Sequence, residues 1–391
     1  MFNFTATPPL SLYIHIPWCV RKCPYCDFNS HEARDEIPEA AYIEALIADL
    51  EQDLPAIWGR SIETVFLGGG TPSLFSPEGI DRLLCDIRAR ITLKPDAEVT
   101  LEANPGTADH ARFQGFREAG INRLSIGIQS FQPDLLQEIG RIHNGNEAIA
   151  AVEAARLAGF DNFNLDLMFG LPGQTAQQAL LDLQTATELG PTHISWYELT
   201  IEPNTWFHRH PPQRPDDNTL WEMQQAGRTL LGAAGFERYE VSAYAREQQQ
   251  CRHNINYWQF GDYLGIGAGA HAKITDAATQ TICRTSRIKH PRGYLDNAHT
   301  AKRISTTTTL ATGDVILEFA MNALRLDQGF SPSTFNATTG LSYTVIENIV
   351  NQGIADGLLE LDRDMIRTSP RGQRYLDELL QQWMPKTTQH A

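Results

Sequence analysis

Cys19, Cys23 and Cys26 fall within eight residues as Cys-x-x-x-Cys-x-x-Cys, directly after an apolar run, Ser11–Pro17, that reads as a strand. Thiolates are soft ligands that suit iron–sulfur clusters or zinc and disfavour hard cations. Three thiolates are one too few to saturate a four-iron cube, so a [4Fe–4S] cluster held here keeps one iron open to an outside ligand. The same triplet also suits zinc completed by His15 or His31, or three thiols with no ligand at all. Arg21 and Lys22 lie between the first two cysteines, where positive charge favours thiolates and offsets a cluster's charge.

Further along stand residues fit for a polar small molecule. Gly68-Gly69-Gly70-Thr71-Pro72 allows backbone to approach a ligand closely, since no Cβ intervenes. Ser73 and Pro77 then lead into a helix, whose free N–H groups suit a carboxylate. Glu102 and Asp166 suit an ammonium group or ribose hydroxyls, and Gln129 and Arg141 add an amide and a fixed cation.

The elements that must position them alternate. Candidate strands at Ser11–Pro17, Thr64–Leu67, Glu98–Ala103, Arg123–Ile128, Asn162–Met168 and His193–Leu199 are each followed by a helical pattern. Those helices are expected at Glu39–Leu54, Pro77–Ile91, Ala108–Ala119, Glu147–Ala158, Ala176–Leu189 and Leu220–Ala234. Alternation of this kind means a parallel sheet with crossover helices. The cysteines, Gly68–Thr71, Glu102, Gln129, Asp166 and Tyr197-Glu198 all fall at or just past strand C-termini, which converge on one mouth in a barrel. The expected fold is therefore α/β, a partial (β/α)6 barrel of TIM type over residues 1–237. Residues 238–310 read as an irregular extension with a glycine run, Gly265-x-Gly267-x-Gly269, and a polar tract at Ser305–Thr309. Residues 311–391 read as helices at Gly313–Leu324, Pro332–Asn336 and Tyr343–Gly353, a hairpin at Leu358–Leu361 and Met365–Thr368, and a last helix at Pro370–Trp383. That pattern suggests a winged-helix-like module.

Composition narrows the function classes. The 391 residues are 42% hydrophobic and 20% charged, as in an ordinary soluble protein, and the net charge of −15 argues against nucleic-acid binding. No run approaches a membrane span, and peripheral membrane contact is left open. The start, MFNFTATPPL, lacks the features of a signal peptide. Cys85, Cys251 and Cys283 are scattered and suggest no disulfide framework, so a reducing, cytosolic setting is expected.

Tyr13-x-His15-Ile16-Pro17-x-Cys19-x-x-x-Cys23-x-x-Cys26, followed by Gly68 to Ser73, resembles the radical S-adenosylmethionine superfamily. More closely it is similar to the oxygen-independent coproporphyrinogen III oxidase branch. The match runs through Glu102-Ala103-Asn104-Pro105, Gly127 to Phe131, Gly140-Arg141-x-His143, Asp166 to Thr175 and Trp196-Tyr197. Glu318-Phe319-x-Met321-x-x-Leu324-Arg325-Leu326 resembles the branch's accessory domain. The resemblance implies a [4Fe–4S] cluster on Cys19, Cys23 and Cys26, with S-adenosylmethionine on the open iron and reductive cleavage to a 5′-deoxyadenosyl radical. It further implies cofactor contacts from Tyr13, Gly69, Gly70, Thr71, Glu102, Gln129, Arg141 and Asp166, with Tyr197 and His271 nearby.

Two departures separate this sequence from the decarboxylating enzyme of the branch. Phe28 stands where that enzyme has a further cysteine, and no substantial extension precedes Tyr13. Both match the haem-chaperone subgroup called HemW, as does His253-Asn254-Ile255-Asn256-Tyr257-Trp258. The implied function is haem binding and transfer to haemoprotein acceptors, with an electron donor as a further partner and no catalytic residue assigned. The alternative is coproporphyrinogen III dehydrogenation in porphyrin biosynthesis. His253 reads as an axial haem ligand flanked by aromatics, or equally as a capping histidine with those aromatics buried. Arg252, Arg284, Arg287 and Lys289 are the nearest cations for haem propionates, or else a solvated face.

Overall fold

The computed structural model describes residues 2–107 and 109–384. Six strands, β1 (Leu10–Ile16), β2 (Ile62–Gly69), β3 (Leu93–Ala103), β4 (Arg123–Gln129), β5 (Phe163–Phe169) and β6 (His193–Glu198), pair in that order and in parallel. The helices that follow them are α1 (Glu39–Asp53), α2 (Pro77–Arg88), α3 (His110–Ala119), α4 (Gly145–Leu157), α5 (Ala176–Glu188) and α6 (Asp217–Ala233). Each starts where its sequence supplies a cap or a proline. Asn144 and Glu147 close a capping box on α4, and Thr175 and Gln178 do so on α5. The expected start of the third helix, Ala108, lies outside the described residues.

The strands carry a period-two pattern that decides what the barrel is for. Leu12, Ile14, Val65, Leu67, Leu101, Leu124, Ile126, Leu165, Leu167 and Ile194 point outward and are fully buried in the core shared with the helices. The alternate positions point inward and are polar: Ser11, Tyr13 and His15 on β1, Thr100 and Glu102 on β3, Arg123 and Ser125 on β4. On β5 and β6 they are Asn164, Asp166, His193 and Ser195. TIM barrels ordinarily fill this space with branched apolar side chains. Here side chains from β1 and from β6, at opposite ends of the parallel run, line one internal cavity.

The segment expected to be irregular, 238–310, is ordered instead. It contributes helix α7 (Arg252–Trp258) and β7 (Asp262–Ile266), which pairs in parallel with the outer edge of β1. Strands His271–Asp276, Thr281–Arg287 and Ile304–Thr309 extend that edge in antiparallel fashion, and Ala243–Ala245 with Glu237–Glu240 extend the other beside β6. Among the described residues the sheet therefore has twelve strands and stays open. Ser305–Thr309, expected to be a boundary, lies in the outermost strand, where β-branched threonines suit an exposed pleat.

Beyond it, Thr312–Ala323, Pro332–Thr339 and Glu347–Ala355 pack with a hairpin of Leu359–Asp362 and Met365–Thr368. Phe319, Phe330, Phe335, Val350, Ile366 and Trp383 form their core, which also takes in Phe4, Phe260 and Ile282 from outside the module. The single last helix expected at Pro370–Trp383 breaks into Pro370–Arg374 and Leu376–Gln381. Residues 385–391 lie outside the described residues.

Gly267, just after β7, has φ +105, and a Cβ there would stand 2.3 Å from the His15 carbonyl oxygen. Gly267→Ala is expected to lose about 2 kcal/mol or more, from left-handed strain and displaced backbone, read as a lower urea midpoint.

Candidate functional site

The cysteine loop leaves β1 at Pro17 and is held by backbone on both sides. Trp18 and Cys19 pair with His31 and Glu32, and the N–H groups of Gly70 and Thr71 donate to the carbonyls of Ile16 and Trp18 at 2.8 and 2.7 Å. A Cβ on Gly70 would meet the Trp18 oxygen at 2.5 Å, so glycine is required for this approach. Trp18 packs edge-on against Tyr42 of α1 at 4.7 Å. Lys22 is turned back on the loop, its Nζ donating to the carbonyls of Phe28 and Ser30, both at 3.1 Å.

The three thiols are free and half-buried, on the rim of a cavity of about 320 Å³ that Gly70, Gln129 and Arg141 also line. Arg141 comes to 3.7 Å from the Cys23 sulfur, and its other nitrogen donates to Asn104 Oδ1 at 2.7 Å and to the Gly127 carbonyl at 2.5 Å. Gln129, the last residue of β4, has φ 65, unusual for a side-chain-bearing residue, and its Oε1 is buried with no partner. Backbone strain and an orphaned acceptor beside three thiols fit a site completed by a bound group.

Zinc fits less well. Both nitrogens of His15 are committed: Nε2 donates to the Asn29 carbonyl at 2.9 Å, so Nδ1 accepts from the Tyr13 hydroxyl at 3.1 Å. Burial lowers the His15 pKa to about 4, which holds the ring neutral. His31 places Nε2 3.3 Å from Asn29 Oδ1. Among the described residues no three His, Cys, Asp or Glu side chains gather closely enough for one ion. The three thiols instead line one cavity together. Cys19, Cys23 and Cys26 are the residues that would hold a cluster. A cluster bound there would supply an open iron and one-electron reduction.

The carboxylates stand at the next level down. Glu102 Oε2 accepts the Gly69 N–H at 3.1 Å. Burial, and then the charge of Asp166, raise the Glu102 pKa to about 8. Burial also raises Asp166, whose oxygens accept from Ser125 and Asn164, both at 2.9 Å. Glu102 and Asp166 border both the thiol cavity and a larger one of about 890 Å³, so they stand between the two spaces. Tyr13 borders the larger cavity and Tyr197 the smaller; burial raises both hydroxyls. His271 is exposed at the start of its strand and faces the larger cavity.

His253 borders that cavity too, from α7, but is only 2% exposed. Thr64 passes its hydroxyl proton to Ser11 at 2.8 Å, so His253 Nδ1 donates to Thr64 at 2.8 Å and Nε2 keeps a bare lone pair with no partner. Burial lowers this imidazole to about 3. Phe66 and Tyr257 pack on it, both at 5.1 Å between centroids.

Three of the four expected propionate cations are engaged elsewhere. Arg252 pairs with Asp96, Arg284 with Glu318, and Arg287 with Asp49 and Asp53; Lys289 faces the cavity. The sequence reading missed Arg123, Asn164 and His193 on the barrel floor. Their signal was the strict alternation in Arg123-Leu124-Ser125-Ile126, Asn164-Leu165-Asp166-Leu167 and His193-Ile194-Ser195-Trp196, where doubly covered parallel strands ordinarily read as continuous apolar runs.

Comparison with known proteins agrees with this geometry. The model of the Radical SAM superfamily matches residues 13–185, and that of the HemN C-terminal domain matches 311–375. Heme chaperone HemW of Haemophilus influenzae is 49% identical over 96% of this chain and 97% of its own length. Heme chaperone HemW of Escherichia coli is 48% identical over 96% and 98%. The chain belongs to the HemW family. Its fold is also that of coproporphyrinogen III oxidase (HemN) from E. coli, a solved structure with TM-score 0.81 and 22% identity, covering 96% of this chain and 90% of that one. The C-terminal module of this HemW-family chain accordingly fits the HemN accessory domain. Among the described residues, no helix is long and apolar enough to cross a membrane.

Proposed function

We propose that this chain is a haem chaperone: it holds a [4Fe–4S] cluster on Cys19, Cys23 and Cys26, binds S-adenosylmethionine beside it, and carries haem to acceptor haemoproteins. The observation that carries this reading is the near full-length likeness to proteins named Heme chaperone HemW. Support comes from the cavity of about 890 Å³, within the range of small-molecule and cofactor sites, that shares Cys26 in its lining with the thiol cavity. Phe28, 59% exposed, borders both cavities at the position where the decarboxylating branch has a cysteine.

Gly69, Gly70, Thr71, Gln129 and Arg141 are proposed to take the polar end of S-adenosylmethionine, and Tyr13, Glu102, Asp166, Tyr197 and His271 its remainder. His253 is the proposed haem contact, through the bare lone pair of Nε2. An electron donor to the cluster, acceptor haemoproteins and a cytosolic setting belong to the same proposal.

The test is parallel haem titration and anaerobic decarboxylase assay on cluster-reconstituted protein. Haem should bind, His253→Ala should weaken binding or alter the haem spectrum, and coproporphyrinogen III should persist. Robust formation of protoporphyrinogen IX would overturn the reading.

A further inference from the structure

Arg123 begins β4 on the floor of the barrel and is 2% exposed, yet it borders the large cavity. Its Nε has no hydrogen-bond partner. The carboxylates that favour its charge, Glu98 and Asp166, direct their hydrogen bonds to other groups. Glu98 receives the Arg252 and His253 N–H groups at 3.2 and 3.1 Å and the Cys251 thiol at 3.6 Å, so it caps the start of α7. Asp166 is held by Ser125 and Asn164. Asn164 is itself spent: its carbonyl oxygen accepts from Ser195 and His193.

Two more polar atoms at this level lack partners, Thr100 Oγ1, whose strand position pairs with that of Arg123, and His253 Nε2. A buried guanidinium that leaves a donor without a partner is costly unless a bound group completes it. A guanidinium presents two parallel N–H groups, a geometry that matches a carboxylate. Arg141, beside the thiols, already serves the polar end of the cluster ligand, so Arg123 stands as a second cation deeper in the lumen.

We propose that Arg123 is the base of an internal carboxylate site in the large cavity, and that the carboxylate it takes is a propionate of the haem cargo. The identity of the carboxylate rests on the haem-chaperone reading; the site itself does not. A free small carboxylate is the other source of the same chemistry, and the experiment separates the two.

Haemin and haemin dimethyl ester, whose propionates are masked, are titrated into wild type, Arg123→Gln and Arg123→Lys. Sodium propionate is titrated against the thermal midpoint of the same three proteins, with circular dichroism and iron content confirming the fold. Wild type should prefer haemin over the ester by about tenfold or more, as for one charge-assisted contact. Arg123→Gln should lose that preference, and Arg123→Lys should keep part of it. If only sodium propionate shows dependence on Arg123, the site stands and the haem source falls. If wild type and both variants treat every probe alike, the site is overturned. Should Arg123→Gln fail to fold, Arg123→Lys against wild type carries the same comparison.

Discussion

Asp49→Ala is expected to destabilise the folded chain by about 3–5 kcal/mol, the scale of stranding buried charge. Asp49 lies in α1 with no solvent exposure. It accepts from Arg287 Nε at 2.9 and 3.1 Å, Arg303 Nε at 2.7 Å, the Tyr294 hydroxyl at 2.9 Å and the Gly267 N–H at 3.2 Å. Asp53, one turn on, pairs with the same two arginines. Two acids thus balance two guanidiniums, and removing Asp49 leaves both cations facing a single carboxylate. Asp53 is a poor substitute, because it already serves both arginines and lies nearer the surface. Urea unfolding should show a much smaller loss for Asp53→Ala, whose side chain is 17% exposed. Equal midpoints for the two variants would count against this account.

The damage should reach the site. Tyr42 lies beside this cluster, donating to the His15 carbonyl and accepting from the Ala268 N–H, both at 2.8 Å. Asn29, which holds His15, donates to the Ala268 carbonyl at 2.9 Å. The glycine loop after β7 therefore couples the α1 ion cluster to the cysteine loop. Iron content of reconstituted Asp49→Ala is expected to fall together with its stability.

What the sequence disclosed about this region, and what it concealed, has a physical cause. Cys19 to Cys26 and Gly68 to Thr71 are local motifs whose chemistry is written in consecutive residues, and their backbones meet as the spacing implied. Glu102, Gln129 and Asp166 were legible because strand ends in a parallel barrel converge. β7 was not, because Asp262-Tyr263-Leu264-Gly265-Ile266 is short, holds a glycine and owes its burial to strands more than two hundred residues upstream. The ion cluster was hidden for a like reason: Arg287 read as a propionate cation or a solvated face, and only packing beside α1 buries it together with Arg303. His253 shows the limit of motif reading. Its neighbours in sequence are the aromatics expected, yet the hydroxyl that fixes its tautomer belongs to Thr64, and no spacing rule connects the two.

Glu102→Gln should stabilise the ligand-free protein at alkaline pH while impairing cofactor binding. Unfolded, this carboxyl ionises near pH 4.3; folded, burial and the charge of Asp166 hold it near 8. The native state therefore binds the extra proton between those values. Its stability falls as pH rises through that window, and levels off above about 8. Glutamine keeps an oxygen for the Gly69 N–H and never ionises, so the gain should be near zero below pH 4 and nearly full at pH 8.5. For a chain of this size a rise of roughly 2–6 °C in the thermal midpoint is expected at pH 8.5. The cost falls on the ligand. A cationic or hydroxyl-bearing group set between Glu102 and Asp166 would relieve the repulsion between the two acids, and an amide offers no charge to it. Affinity for S-adenosylmethionine on cluster-loaded protein, measured by equilibrium dialysis, should drop by roughly 10–100-fold, the worth of one charge-assisted hydrogen bond. A thermal gain independent of pH, or an unchanged affinity, would show that Glu102 neither titrates in this window nor faces the cofactor.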